Sequence, residues 1–221
     1  MSHTLPVQAA VFDMDGLLID SEPFWLQSEN QVFSSIGLDM SLRDKLPDLL
    51  GLRIDQVVEL WYQVSPWQTP SKEEVIQRII DSTIAMVEKE RPLLPGVEHA
   101  LSLCQSQGLK IALASASPLY MLESVLEMFN IRHYFDAVVS AGDLPYSKPH
   151  PQVYLNAAEA LGVPPVQCVA LEDSVNGMIA CKAARMRSIV VPSAEMAADP
   201  RWSLADYRLS SLSELTAAMV S

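Results

Sequence analysis

Side chains that can do chemistry follow four apolar segments of the chain, each about as long as a buried strand. In chain order they are Asp13 and Asp15, Ser115, Lys148, and Glu172 with Asp173. Any one of them alone is explained as a turn former, a helix N-cap or a solvated side chain. In an open α/β sheet, however, ligands bind at the carboxyl ends of the strands. The pattern therefore predicts one site in which carboxylates, a hydroxyl and a cation act on a single ligand.

The elements that position these side chains alternate between strand and helix patterns. Short apolar runs predict strands at residues 7–12, 111–114, 137–140, 168–171 and 188–191. Longer periodic segments predict helices at residues 97–107, 118–129, 149–161 and 178–184. Strict alternation of this kind predicts a parallel sheet with helices on both faces. Residues 191–206 are predicted to form a loop before a last short helix near Ser213.

A block between the first and second strands has only helical patterns. Pro23 fits the first turn of a helix that ends at Gly37, and a second helix is predicted at residues 54–64. Ser71 and Glu74 have the spacing of a capping box at the start of a third. We predict a catalytic core made of residues 1–16 and 92–221, interrupted by an all-helical domain at residues 17–91.

Composition and charge exclude several classes of protein. The 221 residues are 49% hydrophobic and 19% charged, which suits a folded core, and the formal net charge is −12. Such an acidic surface repels nucleic acid and anionic lipid. The three cysteines (Cys104, Cys168 and Cys181) have no paired spacing and are predicted to be reduced and buried. Neither a leader sequence nor a membrane span is predicted. We expect a soluble, cytoplasmic monomer that binds neither nucleic acid nor a membrane.

The same four positions resemble the motifs of the haloacid dehalogenase-like (HAD) superfamily. The string DMDGLLID at residues 13–20 resembles the first motif, and Ser115 in LASAS the second. Lys148 in SKP resembles the third, and the string EDS at residues 172–174 the fourth. The resemblance implies a Rossmann-like, doubly wound parallel-sheet core with an inserted helical cap. Within the superfamily the chain is most similar to the hexitol phosphatase and 2-deoxyglucose-6-phosphate phosphatase group.

The activity that this resemblance implies is hydrolysis of small sugar phosphates or sugar-alcohol phosphates through an aspartyl phosphate. Asp13 would be the nucleophile, since an ionised carboxylate needs no base, and Asp15 the general acid and base. A phosphosugar mutase similar to β-phosphoglucomutase would share these residues and remains an alternative. A phospho-acceptor without enzymatic activity is a second alternative, which the helical block and Asp15 disfavour.

Further roles are implied residue by residue. The phosphate would be held by Asp13, Met14, Asp15, Ser115, Ala116 and Lys148. Metal ligands would come from Asp13, Asp15 (through its carbonyl), Glu172 and Asp173. Phosphate beside these carboxylates needs cations, because two unit charges about 4 Å apart repel by roughly 4 kcal/mol at an effective dielectric constant of 20. Mg²⁺ is the expected cofactor, with Mn²⁺ or Co²⁺ as substitutes. Candidates for substrate specificity are Glu22 for sugar hydroxyls, Trp25 for packing and Arg53 for its charge.

Overall fold

A six-stranded parallel sheet organises the structure, a computed structural model that describes residues 5–47, 49 and 51–221. The strands are β1 Ala9–Phe12, β2 Lys110–Ser115, β3 Ala137–Ser140, β4 Cys168–Glu172, β5 Arg187–Val190 and β6 Tyr207–Arg208. Their order in the sheet is β3-β2-β1-β4-β5-β6. The first strand therefore lies in the middle, where both faces of its run Ala-Ala-Val-Phe are fully buried.

Four helices cover both faces of the sheet, one before β2 and one each after β2, β3 and β4. They are α4 Val97–Ser106, α5 Leu119–Met128, α6 Gln152–Leu161 and α7 Val175–Ala183. Successive strand residues point to opposite faces. Phe12 accordingly packs in the cluster that contains α4 and α5, and Val11 packs in the cluster that contains α6 and α7. The predicted α/β fold with a doubly wound parallel sheet is confirmed.

Three helices occupy the chain between β1 and β2, and we call them the helical insert. They are α1 Glu22–Ser35, α2 Ile54–Val64 and α3 Lys72–Glu90, with a short 3₁₀ helix at Met40–Lys45. The Ser71 side chain accepts a hydrogen bond from the Glu74 N–H at 3.2 Å, as its spacing predicts. Trp61 of α2 is fully buried, and its ring centroid lies 4.9 Å from that of Phe33.

The C-terminal segment differs from the prediction. Residues 191–206 are not a plain loop, since they contain a 3₁₀ helix at Pro200–Leu204. After them comes β6, a strand of two residues that no prediction included. So short a strand has no hydrophobic periodicity of its own, because it forms by adding two residues beside Ile189 and Val190 at the sheet edge. The helix predicted near Ser213 is a three-residue 3₁₀ helix, Leu212–Glu214.

Cys104, Cys168 and Cys181 are buried and unbridged, in agreement with the prediction. Across the described ranges, no helix combines the length and the apolar composition that crossing a bilayer requires.

Candidate active site

The carboxyl ends of the strands bring the predicted residues into one pocket. Asp13 and Asp15 follow β1, and the segment from Ser115 to Ser117 closes β2 next to it. Asp173 follows β4 on the other side of β1. Lys148 reaches the same place from the loop between β3 and α6. All of these residues line a single pocket beneath the helical insert.

Lys148 is the centre of a buried network of charges. Its Nζ donates to Asp13 Oδ1 at 2.8 Å and to Glu172 Oε1 at 2.6 Å. All three residues are at most 5% exposed. Burial alone would lower the pKa of Lys148, but the two carboxylates outweigh it and raise that pKa, so the amine stays charged. One buried cation is thus shared by two carboxylates.

The Glu172 carboxylate is engaged through both of its oxygens. Besides Lys148, Oε1 accepts a hydrogen bond from the hydroxyl of Tyr154 at 2.5 Å. Oε2 accepts from the Asp173 N–H at 3.1 Å and from Ser174, through its N–H at 3.1 Å and Oγ at 3.0 Å. Although burial opposes ionisation, Lys148 and these donors lower the pKa of Glu172. The arrangement makes Glu172 an anchor for Lys148 and for the turn that carries Asp173.

Two residues around Glu172 were missed by the sequence analysis. Tyr154 is fully buried in α6, and the Lys148 ammonium lies 5.1 Å from the centroid of its ring. The sequence did contain a signal for Tyr154, namely a tyrosine on the apolar face of a predicted helix. The hydroxyl of a buried tyrosine generally finds a hydrogen-bond partner. Gly177 is the second, because a Cβ there would lie 1.8 Å from Glu172 Oε1. Only glycine leaves room for the carboxylate.

Asp15 connects the strand end to the helical insert. Its Oδ1 accepts from Ser21 Oγ at 2.6 Å and from Trp25 Nε1 at 3.0 Å. Its Oδ2 accepts from Ser117 Oγ at 2.7 Å, with Ser115 Oγ farther away at 3.4 Å. Trp25, expected only to pack, thus also acts as a hydrogen-bond donor. Ser21 and Ser117 were not singled out, although Ser117 lies within the LASAS motif.

Three carboxylates form a cluster that could hold a metal ion. Oxygens of Asp13, Glu172 and Asp173 all lie within 4.8 Å of one another. Burial, followed by repulsion from Glu172 and Asp15, raises the pKa of Asp13 to about 8 despite Lys148. Burial and the other two acids also raise the pKa of Asp173. Gly16 has a φ of +75°, and a Cβ at this position would lie 2.1 Å from Asp173 Oδ2. Because three acids share the single charge of Lys148, that lysine alone cannot balance the cluster when all three are ionised.

Backbone donors complete the polar side of the site. Within the described ranges, no group accepts a hydrogen bond from the N–H of Met14, Asp15 or Ala116. Asp15 and Ala116 line the pocket, whereas Met14 is fully buried and does not line it. An anion held between β1 and β2 would satisfy such N–H groups, which are costly to leave without a partner.

The opposite side of the pocket is formed by the helical insert, and Glu22, Trp25, Glu29 and Arg53 line it. Arg53 was expected to supply a free charge, but its guanidinium is already engaged. It forms two hydrogen bonds with Asp55, at 2.6 and 2.8 Å, and donates to the carbonyls of Ala141 and Leu144 at 2.5 and 2.7 Å. Those carbonyls lie 88 and 91 residues away along the chain, so no local pattern could reveal the contact.

Comparison with known proteins identifies the family. The model of the haloacid dehalogenase-like hydrolases matches residues 7–185. Hexitol phosphatase B of Escherichia coli K12 is 64% identical over 98% of each chain. CbbY of Rhodobacter sphaeroides, solved in complex with xylulose-(1,5)bisphosphate, superposes with a TM-score of 0.84 at 25% identity, covering 97% of this chain and 99% of that one. The β-phosphoglucomutase of Clostridium difficile superposes with a TM-score of 0.81 over 97% and 95% of the two chains, but its 23% identity shows the fold alone. The chain belongs to the haloacid dehalogenase-like hydrolases.

Proposed function

We propose that this protein hydrolyses the phosphate esters of small sugars and sugar alcohols, with Asp13 as the nucleophile. The observation that carries the proposal is the 64% identity to a hexitol phosphatase along 98% of both chains. The geometry supports it, because Asp13 lies at the base of the pocket, 2.8 Å from a buried lysine. Six of the site residues predicted from the sequence line this pocket: Asp13, Asp15, Ser115, Ala116, Lys148 and Asp173. Glu172 contacts Lys148 beside it.

In the first step, an oxygen of Asp13 forms a bond to phosphorus while the bond from phosphorus to the ester oxygen breaks. Lys148 and the N–H groups of Met14 and Ala116 offset the charge on the phosphoryl oxygens. Asp15 donates a proton to the departing alkoxide, which is otherwise a poor leaving group. Hydrogen bonds from Ser21, Trp25 and Ser117 hold the Asp15 side chain for this transfer.

In the second step, Asp15 removes a proton from a water molecule whose oxygen attacks phosphorus. Inorganic phosphate leaves, and the Asp13 carboxylate is restored. The helical insert closes the pocket above the reacting atoms, and Arg53 ties α2 to the loop after β3. We propose that residues 17–91 form a cap domain and that residues 1–16 and 92–221 form the catalytic core.

The carboxylate cluster fits a divalent cation of the magnesium type. Its donors are all oxygen atoms, and three acids whose oxygens lie within 4.8 Å of one another concentrate negative charge there. We propose that Asp13, Asp173 and the carbonyl of Asp15 bind Mg²⁺ directly. Glu172, whose two oxygens are engaged, would contribute through water. When bound, Mg²⁺ would neutralise charge on the nucleophile and the phosphoryl group.

Two remaining properties are proposals. We propose a monomer that binds neither nucleic acid nor anionic membranes, because a net charge of −12 disfavours both kinds of contact and self-association. We propose a cytoplasmic location, because Cys104, Cys168 and Cys181 are buried and unbridged, as is usual in a reducing compartment. Light scattering measures the molar mass directly, and a value near 24.4 kDa is expected.

The test of the proposed function is a comparison of phosphate release with isomerisation. Hexitol phosphates, 2-deoxyglucose 6-phosphate and p-nitrophenyl phosphate are assayed for release of inorganic phosphate. Conversion of β-glucose 1-phosphate to glucose 6-phosphate is measured in parallel with a bisphosphate activator. We expect hydrolysis of the hexitol phosphates to dominate. Isomerisation faster than every hydrolysis would reject the phosphatase assignment in favour of a mutase.

A further inference from the structure

Glu29 is a buried carboxylate that faces the pocket from the helical insert. The residue is 7% exposed and lies on α1, and the apolar side chains of Leu49 and Leu52 line the same pocket. Burial raises its pKa, which Arg43 only partly offsets. A carboxylate in such surroundings is costly unless hydrogen-bond donors satisfy it.

Only one of its two oxygens is satisfied within the described part of the chain. Oε2 accepts from Arg43 Nη1 at 3.1 Å, and Oε1 has no donor among the described residues. Arginine–carboxylate pairs frequently engage both oxygens through the fork geometry of the guanidinium, but here Arg43 engages only Oε2. The lone pairs of Oε1 are left for a donor that enters the pocket.

The position of Glu29 along α1 indicates which part of a ligand it would meet. Glu22, Trp25 and Glu29 line the pocket at i, i+3 and i+7, so they share one helix face. Trp25 contacts the catalytic end through its bond to Asp15. Glu29 is about one helical turn farther on, roughly 6 Å along the axis at 1.5 Å per residue. It therefore faces the end of a substrate that is remote from the phosphate.

Charge limits what that end can be. Glu22 and Glu29 place two carboxylates on this side of the pocket. The two nearby cations are already engaged, Arg43 with Glu29 and Arg53 with Asp55 and two carbonyls. A neutral group with O–H donors is favoured there over a second phosphate or a carboxylate, because like charges repel.

We propose that Glu29 is a specificity-determining residue whose carboxylate binds the distal hydroxyls of an uncharged polyol or sugar chain. The proposal rests on the proposed phosphatase function and deepens it, since it selects monophosphates with a neutral, hydroxylated tail. Two adjacent hydroxyls can both donate to one carboxylate, which suits an open-chain hexitol.

The first experiment compares Glu29→Gln with the wild type on two substrates. A hexitol 6-phosphate has the hydroxylated tail, and p-nitrophenyl phosphate lacks it. We expect kcat/KM for the hexitol phosphate to fall about 10- to 100-fold, mainly through KM, as for loss of a charged hydrogen bond. The value for p-nitrophenyl phosphate should stay within about twofold. Glu74→Gln is the matched control, because Glu74 pairs with Arg78 at 2.5 Å on the exposed face of α3.

The second experiment replaces one end of the tail by a carboxylate, using a hexonate 6-phosphate. The wild type should prefer the hexitol phosphate, and Glu29→Gln should reduce that preference about tenfold because it removes one repelling charge. Equal losses of kcat/KM on both substrates of the first experiment would overturn the proposed role of Glu29, and so would an unchanged preference in the second. Either result would leave the proposed phosphatase function intact. Wild-type enzyme that cleaves p-nitrophenyl phosphate but no polyol or sugar phosphate would reject the proposed function as well.

Discussion

The hydroxyl of Tyr154 tests whether the network beneath the catalytic pocket stabilises the site as the geometry indicates. Tyr154→Phe removes the donor that lies 2.5 Å from Glu172 Oε1, while the ring and its position 5.1 Å from the Lys148 ammonium are kept. The site is fully buried, so water cannot replace the lost bond. A hydrogen bond to a charged group contributes about 1.5–3 kcal/mol, and we expect a loss of that size in the free energy of unfolding.

Denaturant unfolding followed by circular dichroism measures this loss. For a chain of this size, each kcal/mol corresponds to roughly 2–4 °C in Tm. We expect kcat to fall about tenfold as well, because Glu172 positions Lys148 against Asp13. Tyr134→Phe is the matched control, since it removes a 3.0 Å contact with Ser102 Oγ at an exposed position and should cost under about 0.5 kcal/mol. Equal losses in the two variants would refute the reasoning.

The remaining predictions concern the other members of the site. Lys148→Ala should lower kcat at least about 100-fold even at saturating Mg²⁺, because it removes a charge that the metal does not replace; full recovery with added Mg²⁺ would contradict this. Gly177→Ala should lower both kcat and Tm, since its Cβ would lie 1.8 Å from Glu172 Oε1, and an unaltered Tm would show that the carboxylate has room to move. EDTA should abolish activity. In the metal-free protein the pKa of Asp13 is raised from 3.8 to about 8. The free energy of unfolding therefore falls as the pH rises from the first value to the second, because the folded state holds this proton more tightly than the unfolded chain does. The Tm gained on adding Mg²⁺ should therefore grow between pH 6 and 8, and a constant gain would argue against Asp13 as a ligand.

The sequence predicted the core of the site because parallel strands bring distant residues together by a general rule. Asp13, Ser115 and Glu172 each close a buried strand, and adjacent strands in one sheet place their ends side by side. Lys148 was predicted to join the site because it follows the third apolar segment and lies in the third motif. Its contact with Asp13 is made from the loop between β3 and α6, whose course no strand pattern gives.

The insert side of the pocket could not be predicted in the same way. Arg53 has the sequence context of a free charge, but its partners Ala141 and Leu144 belong to a distant loop. Glu29 resembles a solvated residue on a helix face, and its burial depends on how the 3₁₀ helix at Met40–Lys45 folds back to present Arg43. Such contacts are set by tertiary packing, which no local periodicity records.

The central claim is that Asp13 carries the phosphoryl group. The enzyme is quenched during turnover of a hexitol phosphate and treated with borohydride, which reduces an aspartyl phosphate to homoserine, and the peptides are analysed by mass spectrometry. The account predicts homoserine at residue 13 in the wild type. In Asp13→Asn it predicts none there, and a fall in kcat of at least about 10³-fold with a folded circular-dichroism spectrum. Label at another residue, or activity within tenfold of the wild type in Asp13→Asn, would contradict it.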